Sequence, residues 1–134
     1  MNPTLPALLA LAISQGTRVP PRTVAPVQAC VEQIAHVSGP RIPPAVYKLP
    51  VWSIPVRDVC CDEHGNRTTG HAASVYVWQT RTILLSQSAG DEQLAHELYA
   101  DSIVTASVNR PTPEAVEAGG YYVEKNYRFA DCGE

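Results

Sequence analysis

Two residues able to do chemistry stand side by side in this chain: His96 and Glu97, in the run Leu94–Val104, LAHELYADSIV. In the zinc-binding pattern H-E-x-x-H, histidines at i and i+4 of one helix bring both imidazoles to a single ion. The glutamate beside the first histidine takes a proton from the attacking water and passes it to the leaving amine. His96 and Glu97 supply the first half of that pattern. The position of the second histidine holds Ala100, which has no lone pair to give. Asp101 follows, but one further residue on a helix is a rotation of about 100°, so its carboxylate is poorly aimed at an ion on the His96 face. A bare His–Glu pair also arises by chance on ordinary helices.

The residues downstream add to the pair. The run PEAVEAGGYYVEKNYR carries Glu114, Glu117 and Glu124, and Gly119 with Gly120 would let a second helix approach closely. Two histidines and one glutamate form a known catalytic zinc shell, so a carboxylate from this helix could be a further ligand. Tyr121 and Tyr122 come one turn after Glu117. Either is of a type that can stabilise an oxyanion, though packing is the plainer role for a tyrosine at helical spacing.

The other candidates are weaker. Four cysteines, Cys30, Cys60, Cys61 and Cys132, permit two disulfides and leave the redox compartment open. Adjacent Cys60 and Cys61 would point to opposite faces of an extended chain, so they are expected to serve two separate partners. In CCDEHGN, Cys61 and His64 have C-x-x-H spacing, but no second close pair completes a four-ligand site. A polar turn with cysteines at its edge is the simpler reading. His36 reads as a surface or cap residue, and His71, at a strand entrance, has no role its position supports.

These side chains need elements to hold them. Leu5, Leu8, Leu9, Ala12 and Ile13 fit one face of a short N-terminal helix. That run has the length of a signal-peptide core but lacks a basic flank and a small-residue cleavage site. The proline-rich stretch Gly16–Pro26 reads as a connector, followed by a helix over Val27–Ser38 with Pro26 in its first turn and Gly39 at its end. Ala45–Val56 looks like an edge or bent strand because of Pro50 and Pro55. Arg57–Gly70 reads as a long hairpin loop. Ala73–Gln79 and Thr82–Gln87 predict a tight hairpin. A helix follows over Asp91–Val108, capped by Asp91 and stopped by Asn109 and Pro111. Thr112 and Pro113 then start a last helix that runs to about Tyr127, ahead of a short irregular tail, FADCGE.

With 134 residues, 45% of them hydrophobic and 17% charged, the chain fits one globular domain. A net charge of −3 with scattered basic residues offers no nucleic-acid footprint, and no run of about 20 apolar residues spans a bilayer. The cytoplasm is favoured slightly over export.

The succession of an early helix, VWSIPV, the ASVYVWQ…TILLSQ hairpin, LAHEL and EAGGYYVEKNY resembles the small gluzincin-type metallopeptidases, the minigluzincins, over roughly residues 27–128. The resemblance implies an α+β, zincin-like fold: a short antiparallel sheet, an active-site helix and a following ligand-bearing helix. It implies one domain across residues 1–134, with 1–26 as a proline-rich N-terminal segment. By position it makes His96 a zinc ligand, Glu97 the general base and Glu117, which heads an E-x-x-G-Y segment, the third ligand. Tyr121 is then a candidate transition-state stabiliser. The implied activity is zinc-dependent hydrolysis of a peptide or protein substrate, held by strand addition to the hairpin edge. Ala100 departs from the pattern: HELYAD is HELYHD with one histidine replaced. Zinc would be weak or absent and the chain inactive, through deliberate inactivation or natural loss. The alternative is a non-catalytic pseudopeptidase that binds peptides or proteins.

Overall fold

A computed structural model of the protein describes residues 3–109, 111–130 and 132. The element order is α1 (Leu5–Gln15), β1 (Thr17–Arg18), α2 (Pro21–Ala35), β2 (Ala45–Lys48), β3 (Ile54–Val59), β4 (Thr68–Ala72), β5 (Ser74–Val77), β6 (Thr82–Leu85), α3 (Asp91–Ala106) and α4 (Pro113–Tyr127). The fold is α+β.

The main sheet has the order β1-β2-β6-β5, and β3 pairs with β4 in a separate antiparallel ribbon. The expected hairpin is present, with Ser74 opposite Leu85 and Val77 opposite Thr82. The sheet is not purely antiparallel, however, because β2 runs parallel to β6, Ala45 opposite Thr82 and Lys48 opposite Leu85. Nor is β2 an edge strand: it lies between β1 and β6. Pro50 falls just past its last residue, so every β2 residue keeps its N–H. The bend was correctly expected, since the chain breaks at 49–53 and resumes as β3. The expected long loop is shorter, because strand pairing runs to Val59 and restarts at Thr68.

β6 is buried on both faces, all four residues, and its alternation divides the core. Ile83 and Leu85 face a cluster with Val24, Val27 and Val31 of α2, Leu94, Ala95 and Leu98 of α3, and Val123 of α4. Leu84 faces the opposite cluster, where Leu8 and Ala12 of α1 meet Ile54, Val56, Val75 and Val77. The amphipathic reading of α1 therefore holds for Leu8 and Ala12, whereas Ile13 is exposed.

The N-terminal segment is not a separate connector. α2 begins at Pro21, with Pro26 inside it, so a boundary at residue 26 falls within a helix. Pro21 occupies the first helical position, where its missing N–H costs nothing. α2 ends earlier than expected, at a left-handed His36 (φ 55°) rather than at Gly39, and His36 is exposed at that cap. α3 stops at Ala106, and its N-cap is Gly90 rather than Asp91. α4 starts as expected, with Thr112 Oγ1 accepting from the Ala115 N–H at 3.2 Å. Beyond Tyr127 the described residues form no helix or strand; 131, 133 and 134 of the expected irregular tail lie outside them.

Candidate active site

α3 and α4 touch along small residues. A Cβ added at Gly120 would come within 2.7 Å of His96 Nε2, and one at Gly119 within 2.4 Å of the Tyr99 hydroxyl. Real Cβ atoms do not approach that closely, so Gly120 is what lets the His96 ring lie against α4, and Gly119 does the same for Tyr99. The close approach expected of Gly119–Gly120 is the one observed.

It brings carboxylates to His96 from two turns of α4. His96 Nε2 lies 2.7 Å from Glu117 Oε2, and Nδ1 lies 3.0 Å from Glu124 Oε1. His96 is 5% exposed. Burial opposes its charge, but the negative field of Glu97 and the hydrogen bonds to Glu117 and Glu124 prevail, raising its pKa to about 10. At neutral pH the ring is therefore an imidazolium donating to both carboxylates, the cation at the centre of an acidic cluster. Glu97, beside it and 4% exposed, is pushed above the usual carboxylate range by burial, against the pull of His96.

The sheet holds the other side of α3. Ser74 Oγ donates to Glu97 Oε2 at 2.7 Å, and Tyr76 OH donates to Asp101 Oδ1 at 2.6 Å. Two residues along a strand advance about 6.6 Å and four along a helix about 6.0 Å, so one face of β5 fits one face of α3. Arg81 clasps Asp101 through Nε and NH2, each at 2.9 Å. Asp101 is thus turned to the sheet and committed there, away from the His96–Glu117 contact, as its helical offset implied.

Donor atoms of His96, Glu97 and Glu117 all lie within 4.8 Å of one another. They could hold a cation, but only with Glu97 as a ligand, which removes it from the role of base. Two donors on a tetrahedral ion at about 2.1 Å stand about 3.4 Å apart, so the 2.7 Å His96–Glu117 contact would have to open and release a proton. Ala100 is buried one turn after His96 and adds no donor.

The remaining candidates separate clearly. Tyr121 sets its ring edge-on to His96, with centroids 4.6 Å apart, but donates its hydroxyl to the Cys61 carbonyl at 3.2 Å. Burial and the neighbouring carboxylates push that phenol up to about 12. Tyr122 is exposed. Glu114 is not with His96; its carboxylate lies by Cys60 and Cys61. Those two cysteines are bonded to each other, and Cys30 to Cys132, which corrects the expectation of separate partners for the adjacent pair. Residues 62–66 do form a polar turn, where Asp62 Oδ1 accepts from the N–H groups of His64 and Asn66 at 2.9 Å. His71 is exposed, 3.1 Å from Ser53 Oγ through Nδ1, and joins no cluster with His96.

Ser74 escaped the reading of the sequence, and Glu124 was named there without a role of its own. The signal for Ser74 was its alternation with Tyr76 on a strand just before the helix. For Glu124 it was its position seven residues, two turns, after Glu117 on α4. The chain matches no protein-family model, no curated protein sequence and no solved structure, so its own side-chain geometry carries the functional reading.

Proposed function

We propose that the chain is a zincin-type metallopeptidase domain whose parent reaction is peptide-bond hydrolysis, inactive as it stands because Ala100 replaces a histidine ligand. One observation carries this reading: His96 and Glu117, from two helices joined at a double glycine, meet at 2.7 Å with the buried Glu97 carboxylate beside them. A zinc ion held there would supply a bound water with its pKa lowered to about 7. With Ala100→His supplying the missing donor, His96 and Glu117 would be the other two protein ligands, which frees Glu97 from the ion. Glu124, hydrogen-bonded to the far nitrogen of His96, would fix the ring, as carboxylates do behind metal-bound histidines. Glu97, held by the Ser74 hydroxyl, would take and return the proton.

The test is Ala100→His. It should bind zinc far more tightly than the unchanged chain and show chelator-sensitive cleavage of itself or of a diverse peptide pool. Adding Glu97→Gln should keep the zinc and abolish cleavage. If Ala100→His leaves zinc affinity unchanged, the ligand assignment is wrong.

A second reading, a non-catalytic peptide-binding module, is favoured by β5 ending the four-stranded sheet while bearing the Ser74–Glu97 bond. An extended peptide adding to that edge would protect its amides. Amide exchange across Ser74–Val77 should slow when a binding peptide is added; a bound peptide that leaves those amides unaffected removes strand addition.

A further inference from the structure

We propose that Cys60, Cys61 and Glu114 form a second, redox-gated site, which takes a thiophilic divalent cation of the zinc class when the two cysteines are reduced. The loop 60–67 between β3 and β4 lies along α4. It sets both sulfurs within 4.8 Å of a Glu114 carboxylate oxygen, in the first turn of that helix. A second contact fixes the loop on the same helix, where the Tyr121 hydroxyl donates to the Cys61 carbonyl at 3.2 Å. Cys61 is 6% exposed and Cys60 half-buried, so the pair is sheltered but reachable, and Glu114 is open to solvent.

As a disulfide the sulfurs offer no thiolate, and the site is closed. A phosphine reductant opens it: the phosphine and a water become the phosphine oxide, and the disulfide takes up two electrons and two protons to give two thiols. A divalent cation then displaces both thiol protons and is held by two thiolates and one carboxylate. Soft sulfur ligands select the zinc class over magnesium or calcium. His64 takes no part; it is exposed beside Glu63. The site does not depend on His96, so it stands or falls apart from the peptidase reading.

Cadmium is the probe, because its thiolate charge-transfer absorbance ignores carboxylates and imidazole. The unchanged chain should show no band when oxidised and a saturable band after phosphine treatment. Phosphine also reduces Cys30–Cys132, so the arms are run with Cys30→Ser and Cys132→Ser in place: there Cys60→Ser and Cys61→Ser should abolish the band, whereas His96→Ala should retain it. Glu114→Gln, at an exposed position that leaves the fold intact, should weaken cadmium roughly tenfold, the scale of one lost charge-assisted contact. An unfolded dithiol would not feel Glu114, so equal affinity in Glu114→Gln overturns the proposal. So does a band that survives Cys61→Ser, or none in the reduced chain.

Discussion

His96 is a buried cation whose partners are all acidic. Its ring nitrogens face one carboxylate each, Glu117 at Nε2 and Glu124 at Nδ1, and both favour the charged ring. The consequence is a stability that varies with pH. The pKa of His96 rises from 6.5 to about 10 on folding, and that of Glu97 rises from 4.5. Both groups bind their proton more tightly in the folded chain, so folding takes up protons and stability falls as pH rises. The share from Glu97 begins to fade above 4.5; that from His96 is complete below 6.5 and is lost through about pH 10. Urea midpoints of the unchanged chain should decline across that window more steeply than those of His96→Gln. Parallel curves would mean the ring is not held as a cation.

Among the elements, the decisive fit is β5 against α3. The strand gives one face to Glu97 and Asp101, and the following turn places Arg81 on the same carboxylate. Arg81 has φ 51°, a left-handed conformation uncommon for a residue with a side chain. Its guanidinium, bonded to Asp101 and to the Ile42 carbonyl at 2.6 Å, is positioned to hold that conformation. The Asp101 side chain is 1% exposed and that of Arg81 30%. Arg81→Ala would leave a buried carboxylate with Tyr76 alone, at a cost of about 2–3 kcal/mol; this is the low end for such a pair, because Arg81 is partly solvated. Chemical denaturation measures it directly. A loss no larger than that of an exposed ion pair would show that α3 is positioned without help from Arg81.

For the whole molecule, the Cys30–Cys132 disulfide ties the chain beyond α4 back to α2 across a sequence separation of 102. Closing a loop of about 100 residues is worth up to about 4.7 kcal/mol through the unfolded state, and measured disulfides commonly give about 2–4. Cys132→Ser should therefore lower stability by about 2–4 kcal/mol while leaving the His96 cluster intact. An unchanged urea midpoint would show that the tail is tied at no benefit to the fold. Among the described residues no helix is long and apolar enough to cross a membrane.

The sequence by itself determined what is local. Periodicity located α3, periodicity and the Thr112 cap located α4, alternation located the β5–β6 hairpin, and the His–Glu pair with Gly119–Gly120 pointed to the candidate site's main members. Helical spacing also told that Asp101 would turn away from His96. Tertiary structure decided what depends on residues far apart in the chain. The parallel β2–β6 pairing, the start of α2 at Pro21 and the pairing of the cysteines carry no local signature. Nor does the separation of Glu117 from Glu114, three residues apart on one helix, one reaching His96 and the other the cysteine loop. Spacing says which residues share a face, but the packing of α4 against α3 and the 60–67 loop selects what that face meets.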